Sequence, residues 1–286
     1  MSSMQSATQT APQVVARPNV GRIGSRQAID DGLMVAWRNL KRVPRIPELA
    51  ILAVVQSIMF VLLFAFVFGG AIPLPDGGSY REFLMPGIFA QTIVFAAAIT
   101  AVGMCDDVNK GIIDRFRSLP MARSAVLTGR TFSDVIYNGG ILIVLMLSGL
   151  AVGWTVRTGV VELFAGIGLL LLFAFAMSWL GIWLGLSVPT VEVANQVVFT
   201  TLFPITFISS AFVPVQTLPD FLQPIAEWNP TSTLTNSLRM LWGNPNPFIT
   251  DSFPSQYPIL VTLGWVVVFT LVFGTLGVRK YRNMSR

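Results

Sequence analysis

The sequence predicts an all-α polytopic membrane protein with six transmembrane helices. Of its 286 residues, 53% are hydrophobic and only 12% are charged, and its mean hydropathy is +0.67. A soluble domain of ordinary composition carries about twice that share of charged residues. Six uncharged apolar runs divide the chain, and the shortest, Val135–Val156, holds 22 residues. Because about 20 apolar residues cross the hydrocarbon core as a helix, each run is long enough to span a bilayer.

The predicted spans follow these runs in order along the chain. An ionised side chain at the middle of a bilayer costs at least about 2.5 kcal/mol, so charged residues mark the limits of each span. A buried core helix is the alternative for any single run, but six such runs in one chain argue against it. Within span five, Pro204 predicts a kink because it removes a helical hydrogen bond. The predicted spans are Leu49–Phe68, Phe83–Met104, Val135–Trp154, Leu163–Leu186, Val193–Val213 and Tyr257–Val278.

The basic residues predict the orientation of these spans. Sixteen of the nineteen Lys and Arg residues fall in the N-terminal segment, the loop after span two and the C-terminal tail. The other three are Arg81, Arg157 and Arg239. Loops rich in Lys and Arg stay in the cytoplasm, so we expect a plasma-membrane protein with both termini cytoplasmic. The basic balance therefore reports topology, and no basic patch interleaved with aromatic residues indicates nucleic-acid binding.

Two segments are predicted before the first span. Residues 1–27 are rich in Ser, Gln, Thr, Ala and Pro and lack an apolar core, which favours a disordered cytoplasmic tail over a signal peptide. Residues 28–46 have apolar positions at helical spacing, which predicts an amphipathic helix lying in the membrane interface. A solvated helical linker is the alternative. The residues expected at the lipid headgroups are Trp37, Arg38, Lys41 and Arg42.

The loop between spans two and three, residues 105–130, contains a short amphipathic pattern. Ile112, Phe116 and Leu119 are four and three residues apart, so they share one helical face, and Pro120 ends the helix. An apolar face in the cytoplasm needs a cover. A partner protein can dock on it, or it can pack against the inner ends of the protein's own spans, and both can hold at once.

Polar and acidic residues near the spans are expected to serve packing and boundaries. Glu48, Asp134 and Glu192 lie at predicted inner ends, which favours an interfacial position over the alternative, a role in gating or ion coupling. Polar residues inside spans form hydrogen bonds between helices or line a pathway, and we favour packing. These intramembrane residues are Gln56, Gln91, Asn138 and Gln196.

The sequence has no pattern for phosphate binding, metal binding or Ser/His catalysis. It contains no histidine and a single cysteine, Cys105, which removes the commonest metal ligand and the commonest general base. None of its lysines, Lys41, Lys110 and Lys280, follows a glycine, so no GxxxxGK[ST] phosphate loop is present. We therefore expect no catalytic residue, no metal ligand and no cofactor in this chain itself.

Several stretches resemble the permease subunits of type-2 ABC exporters, in particular the daunorubicin/doxorubicin-resistance permeases of actinobacteria. The most specific stretch, KGIIDRFRSLPMARSAVLTGR, begins at Lys110 and is similar to the cytoplasmic loop of these permeases. Two others agree with it: YREFLMPGIFAQT from Tyr80, and FPITFISSAFVPVQTLPDFLQPIAEWNPTSTLTNSLR from Phe203. The resemblance covers most of the chain beyond the N-terminal tail.

The resemblance implies specific roles for three segments. In such permeases the loop between spans two and three carries a coupling helix that docks on an ATP-binding subunit. The helix at 28–46 matches the interfacial connecting helix, and residues 214–245 match a pair of short re-entrant helices on the outer side. The residues implied to contact the ATP-binding subunit are Lys110, Gly111, Ile112, Ile113, Asp114, Arg115, Phe116, Arg117, Leu119 and Pro120.

The residues of the 214–245 segment fit that role. The run Trp228–Leu238 is too short to span a bilayer, and the Asn229–Pro230 pair predicts a break between two helical pieces. Irregular backbone at membrane depth is tolerated only where protein covers it, so we expect this segment to be packed. Its apolar stripe consists of Leu234, Leu238 and Leu241.

The resemblance also implies an assembly and a function. Two such permeases, identical or related, would work with two ATP-binding subunits that hold ATP and Mg²⁺, surrounded by membrane lipids. This chain would then export hydrophobic or amphiphilic compounds, such as an antibiotic, another drug or a lipid, without an ATPase site of its own. Two other interpretations of six spans stay open. One is a membrane scaffold or lipid-binding protein; the other, a secondary drug antiporter, is disfavoured by the lack of mid-span carboxylates.

Overall fold

Helices are the only extended secondary structure in the part of the chain that the structure, a computed structural model, describes. No strand occurs among those residues. They comprise 58–68, 79–113 and 123–284, together with Asp30, Gly32, Leu33, Met34, Ala36, Trp37, Lys41, Val55, Gln56 and Arg115. The predicted tail at 1–27 lies outside them, and the described positions of the predicted interfacial helix are helical.

The helices follow one another along the chain with short connections. Residues Leu63–Phe68 are wound as a π-helix, which forms the last turn of the first helix and continues one residue past Val67. A single 3₁₀ turn, Val215–Thr217, lies between α5 and α6. The helices are α1 (Ile58–Val67), α2 (Tyr80–Asn109), α3 (Arg123–Val152), α4 (Val160–Gly185), α5 (Val191–Phe207), α6 (Gln223–Trp228), α7 (Pro230–Trp242), α8 (Phe253–Gln256) and α9 (Pro258–Asn283).

Four of these helices, α2, α3, α4 and α9, are long and apolar enough to cross a membrane. They correspond to predicted spans two, three, four and six. Each of them except α4 extends well beyond the predicted span, and α3 already begins at Arg123, twelve residues before Val135. The reason is that charged residues mark where a helix leaves the lipid, whereas the helix itself continues where its end packs on protein.

The two remaining apolar helices, α1 and α5, are shorter. Helix α1 covers the second half of predicted span one, whose first residues lie outside the described ones. Helix α5 passes through Pro204 and ends one turn later, so it does not continue to Val213. Its end is fixed from outside because the Asn229 side-chain amide donates hydrogen bonds to the carbonyls of Ile205 and Ile208, at 2.7 Å each.

Helix α2 forms the centre of the bundle, and most of its residues are buried. Helix α4 runs parallel to it at close range, because Gly181 and Gly185 lie directly against the backbone carbonyls of Ala97 and Ala101. Small residues allow such close approach of helix backbones. We call the end of the bundle at Asn109 the inner end, because it is the end predicted to be cytoplasmic, and the opposite end the outer end.

Candidate functional site

A sharp turn follows α2 at the inner end. Gly111 has a φ of 66°, in the left-handed region that favours glycine. The amide of Arg115 donates to the Gly111 carbonyl at 3.2 Å, so a new helical turn begins at once. Lys110 and Arg115 are exposed, and the Lys110 ammonium pairs with Asp106 at 2.8 Å. Such an exposed ion pair contributes less than about 1 kcal/mol, which leaves Lys110 available for a partner.

Ile113 anchors this turn to the protein's own helices. It is 3% exposed, whereas Ile112 is half-buried. The spacing of apolar residues predicts Ile112 on the apolar face, whereas the structure buries its neighbour Ile113. The spacing of apolar residues could not choose between adjacent isoleucines, because the left-handed Gly111 sets the rotation of the turn. The remaining predicted contact residues, Asp114, Phe116, Arg117, Leu119 and Pro120, lie outside the described residues.

Ile113 belongs to an apolar group that we call the inner cluster. The cluster joins the inner ends of α2, α3, α4 and α9 to the turn after α2. Ile113, which was not one of the residues predicted on the apolar face, thus packs on the protein's own spans. The inner cluster consists of Met104, Ile113, Val126, Leu127, Trp179, Ile182, Leu186 and Tyr281.

A buried ionic group lies beside the inner cluster, between α2 and α3. The Arg130 guanidinium reaches Asp107 at 3.0 Å and Asp134 at 3.4 Å. The Thr100 hydroxyl donates to Asp134 at 2.8 Å. We call these four residues the Arg130 cluster. Asp134 was expected in the interface, but its side chain is only 14% exposed. The sequence gives no signal for the cluster, because its α2 and α3 members are more than twenty residues apart.

Of the four residues predicted at the membrane interface, the structure describes Trp37 and Lys41. Trp37 is 61% exposed, and the Lys41 ammonium lies 5.1 Å from the centre of its indole ring. This distance is that of a cation–π contact. Arg38 and Arg42 lie outside the described residues.

At the outer end, the predicted break between two helical pieces is confirmed. Helix α6 ends at Trp228 and α7 begins at Pro230. The Asn229 side-chain oxygen accepts a hydrogen bond from the Thr231 amide at 2.8 Å and so caps α7. Of the predicted apolar stripe, Leu234 and Leu238 are fully buried and Leu241 is partly buried.

Arg239 of α7 is buried, although sequence reasoning counted it with the outer loop charges. Its side chain is only 1% exposed. It donates to the carbonyls of Phe83 at 3.0 Å and Ser210 at 2.9 Å, and to the Asn236 amide oxygen at 3.1 Å. The guanidinium lies 3.6 Å above the Phe83 ring.

The polar intramembrane residues divide into two groups. Gln91 and Asn138 are buried, as expected for packing between helices. Gln56 and Gln196 are exposed on the surface of the single chain, and Gln196 donates to Thr200 one turn further along α5 at 3.4 Å.

A bundle of apolar, membrane-length helices with polar contacts at both ends defines a multi-pass membrane protein. Comparison with known protein families identifies the class of this membrane protein, since the family of ABC-2 type transporters matches residues 32–241. The chain belongs to this family, and it is a permease subunit of an ABC transporter. The predicted resemblance is confirmed.

Three similar proteins are also described as permeases. The chain is 28% identical to the daunorubicin resistance ABC transporter permease protein DrrB1 of Streptomyces coeruleorubidus, over 99% of this chain and 97% of that protein. It is 22% identical to the putative transport permease ycf38 of Cyanophora paradoxa, over 90% of each chain. It is also 22% identical to the probable doxorubicin resistance ABC transporter permease protein DrrC of Mycobacterium tuberculosis, over 65% of this chain and 67% of that protein.

Proposed function

We propose that this chain forms the membrane path of an ATP-driven exporter of hydrophobic or amphiphilic compounds. The observation that carries the proposal is the similarity, over 99% of the chain, to a daunorubicin resistance permease. The cargo would be an antibiotic, another drug or a lipid that leaves across the plasma membrane. The chain has no phosphate loop of its own, so ATP and Mg²⁺ would be held by a separate ATP-binding subunit.

We propose six membrane spans with both termini in the cytoplasm. Four membrane-length helices and the two shorter apolar helices, α1 and α5, support this number. The distribution of Lys and Arg supports the orientation, since sixteen of nineteen fall on the proposed cytoplasmic side.

The α6–α7 pair is proposed as the re-entrant segment of the outer side. Helix α7 has 13 residues, which corresponds to a length of about 20 Å, too short to cross a bilayer. The Trp265 indole, two turns into α9, donates to the Trp228 carbonyl at 3.0 Å. This contact supports an α6–α7 junction that lies below the outer end of α9, at membrane depth.

We propose that the segment from Lys110 to Pro120 docks on the ATP-binding subunit. The exposed Lys110 and Arg115 would meet the partner, while Ile113 holds the segment against the bundle. ATP-driven closure of two ATP-binding subunits would press on this segment in each of two permeases. The inner cluster would pass the displacement to four helices, which move as rigid bodies.

The proposal is tested by co-expressing the chain with its ATP-binding subunit and isolating the complex in detergent. The triple variant Asp114→Ala, Arg115→Ala and Phe116→Ala should lose co-isolation or coupled ATPase activity while its membrane insertion survives. The matched control replaces two exposed acidic residues of the outer end, Asp220→Ala and Asp251→Ala, and should behave as wild type. Unchanged coupling in the triple variant would refute this docking site, and export of daunorubicin that persists without ATP would refute the exporter.

A further inference from the structure

The Arg130 cluster ties together the two helices from which the 110–123 connection emerges. Asp107 lies in the last turn of α2, and Arg130 and Asp134 lie in the second and third turns of α3. The side chains of Asp107, Arg130 and Asp134 are 7%, 13% and 14% exposed. One guanidinium thus bridges a carboxylate on α2 and a carboxylate on its own helix, and Thr100 of α2 holds the second carboxylate in place.

The backbone of α2 is shaped to admit this guanidinium. Arg130 lies across Gly103, and a Cβ atom at that position would collide with its terminal Nη2 atom. The absence of a side chain at Gly103 therefore lets the guanidinium reach Asp107. The arrangement thus combines the Arg130 guanidinium and the Asp134 carboxylate of α3 with the Asp107 carboxylate and Gly103 of α2.

Stability alone is a poor reason for such a buried ionic group. Desolvation of buried ions cancels much of their attraction, and an apolar replacement of similar volume is often neutral or stabilising. The position of the group suggests another role. The chain leaves α2 through the left-handed turn at Gly111. The apolar contacts of the inner cluster and this ionic group together hold α2 to α3 where the connection between them is pushed.

We propose that Arg130 is a positioning residue of the transport cycle, which clamps α2 to α3 so that both helices follow the displaced connection as one lever. This inference rests on the proposed function. Without the clamp, the connection would still dock on the ATP-binding subunit and ATP would still be consumed. Part of the displacement would then be lost in the separation of α2 from α3, and less cargo would move per ATP.

Two variants weaken the clamp without removing its charge. Arg130→Lys keeps the positive charge but loses the planar fork that reaches two carboxylates. Gly103→Ala leaves all charges in place and displaces only the flexible end of Arg130. The matched glycine control is Gly140→Ala on α3, where a Cβ atom meets nothing within 4 Å. The matched arginine control is Arg157→Lys, which alters the ion pair with Glu82 at the outer end, 2.8 Å long.

The measurement is daunorubicin transported per ATP hydrolysed in liposomes that contain the chain and its ATP-binding subunit. Co-isolation and unfolding temperature are recorded for every variant. Arg130→Lys and Gly103→Ala should lower the transport-to-hydrolysis ratio about threefold or more while co-isolation is retained. Gly140→Ala and Arg157→Lys should keep the wild-type ratio.

The outcomes separate this inference from the proposed function. A wild-type ratio in both clamp variants overturns the inference, also where their unfolding temperature falls, because the role would then be structural only. An equal fall in the two control variants overturns it as well. A wild-type chain that neither co-isolates with the ATP-binding subunit nor transports overturns the proposed function itself.

Discussion

At the scale of single residues, Arg239 shows how far a charge can lie from where its sequence context suggests. A lone basic residue between apolar spans has the pattern of a loop charge on the outer surface. The structure instead buries it between α2, α7 and the chain after α5, bonded to main-chain carbonyls of Phe83 and Ser210. No local pattern could predict this, because the acceptors come from segments 156 and 29 residues away.

Replacing Arg239 by Lys should destabilise the protein despite the conserved charge. An ammonium cannot match the planar fork that reaches Phe83, Ser210 and Asn236, so buried carbonyl groups lose their donor. Each unsatisfied buried group costs about 1–3 kcal/mol. The unfolding temperature in detergent should therefore fall for Arg239→Lys. It should stay near wild type for Arg157→Lys, since Arg157 is 60% exposed; equal unfolding temperatures for the two variants would contradict this prediction.

At the scale of helices, the sequence predicts that a helix occurs better than it predicts the residues at which the helix begins and ends. Four spans appear as long apolar helices, because exclusion of charge from lipid is a local and strong signal. Helix ends depend on partners that are distant in sequence. Helix α3 starts at Arg123 and carries Arg130, Asp134 and part of the inner cluster on its first turns. Helix α5 stops at Phe207, where Asn229 binds the last carbonyls.

The turn after α2 offers a direct test of which isoleucine faces the bundle. Ile113→Ala removes buried methyl groups from the inner cluster and should cost about 2–4 kcal/mol of unfolding free energy. Ile112→Ala should cost clearly less, because Ile112 is only half-buried. Chemical or thermal unfolding of both variants in detergent measures the difference. A larger loss for Ile112→Ala would show that the turn is rotated and that Ile112 is the anchor.

At the scale of the whole molecule, composition and charge distribution predict a multi-pass membrane protein, and the family match confirms the class. The loop motif in the sequence predicts the segment proposed to dock on the ATP-binding subunit. It does not predict the inner cluster that supports this segment. The inner cluster brings together residues as distant as Met104 and Tyr281. Such a contact depends on how four helices pack, which a single sequence does not encode locally.

The orientation of the whole chain can be measured with single cysteines. Cys105 is the only cysteine, so Cys105→Ser gives a clean background. A membrane-impermeant maleimide applied to intact cells should label Asp220→Cys, which is exposed near the outer end. It should label Asn283→Cys, exposed in the last turn of α9, only after the membrane is permeabilised. The reverse labelling pattern would overturn the proposed orientation.

The glycine contacts between α2 and α4 restrict where a hydrophobic molecule can enter the bundle from the membrane. Gly181 and Gly185 bring the two backbones together at Ala97 and Ala101, leaving no room for an acyl chain or a flat ring system between them. The two helices are thus in direct backbone contact over the turn from Ala97 to Ala101. Under the proposed function, a compound that partitions first into the inner leaflet would enter along another face of the bundle, such as the surface of α5 that carries Gln196 and Thr200.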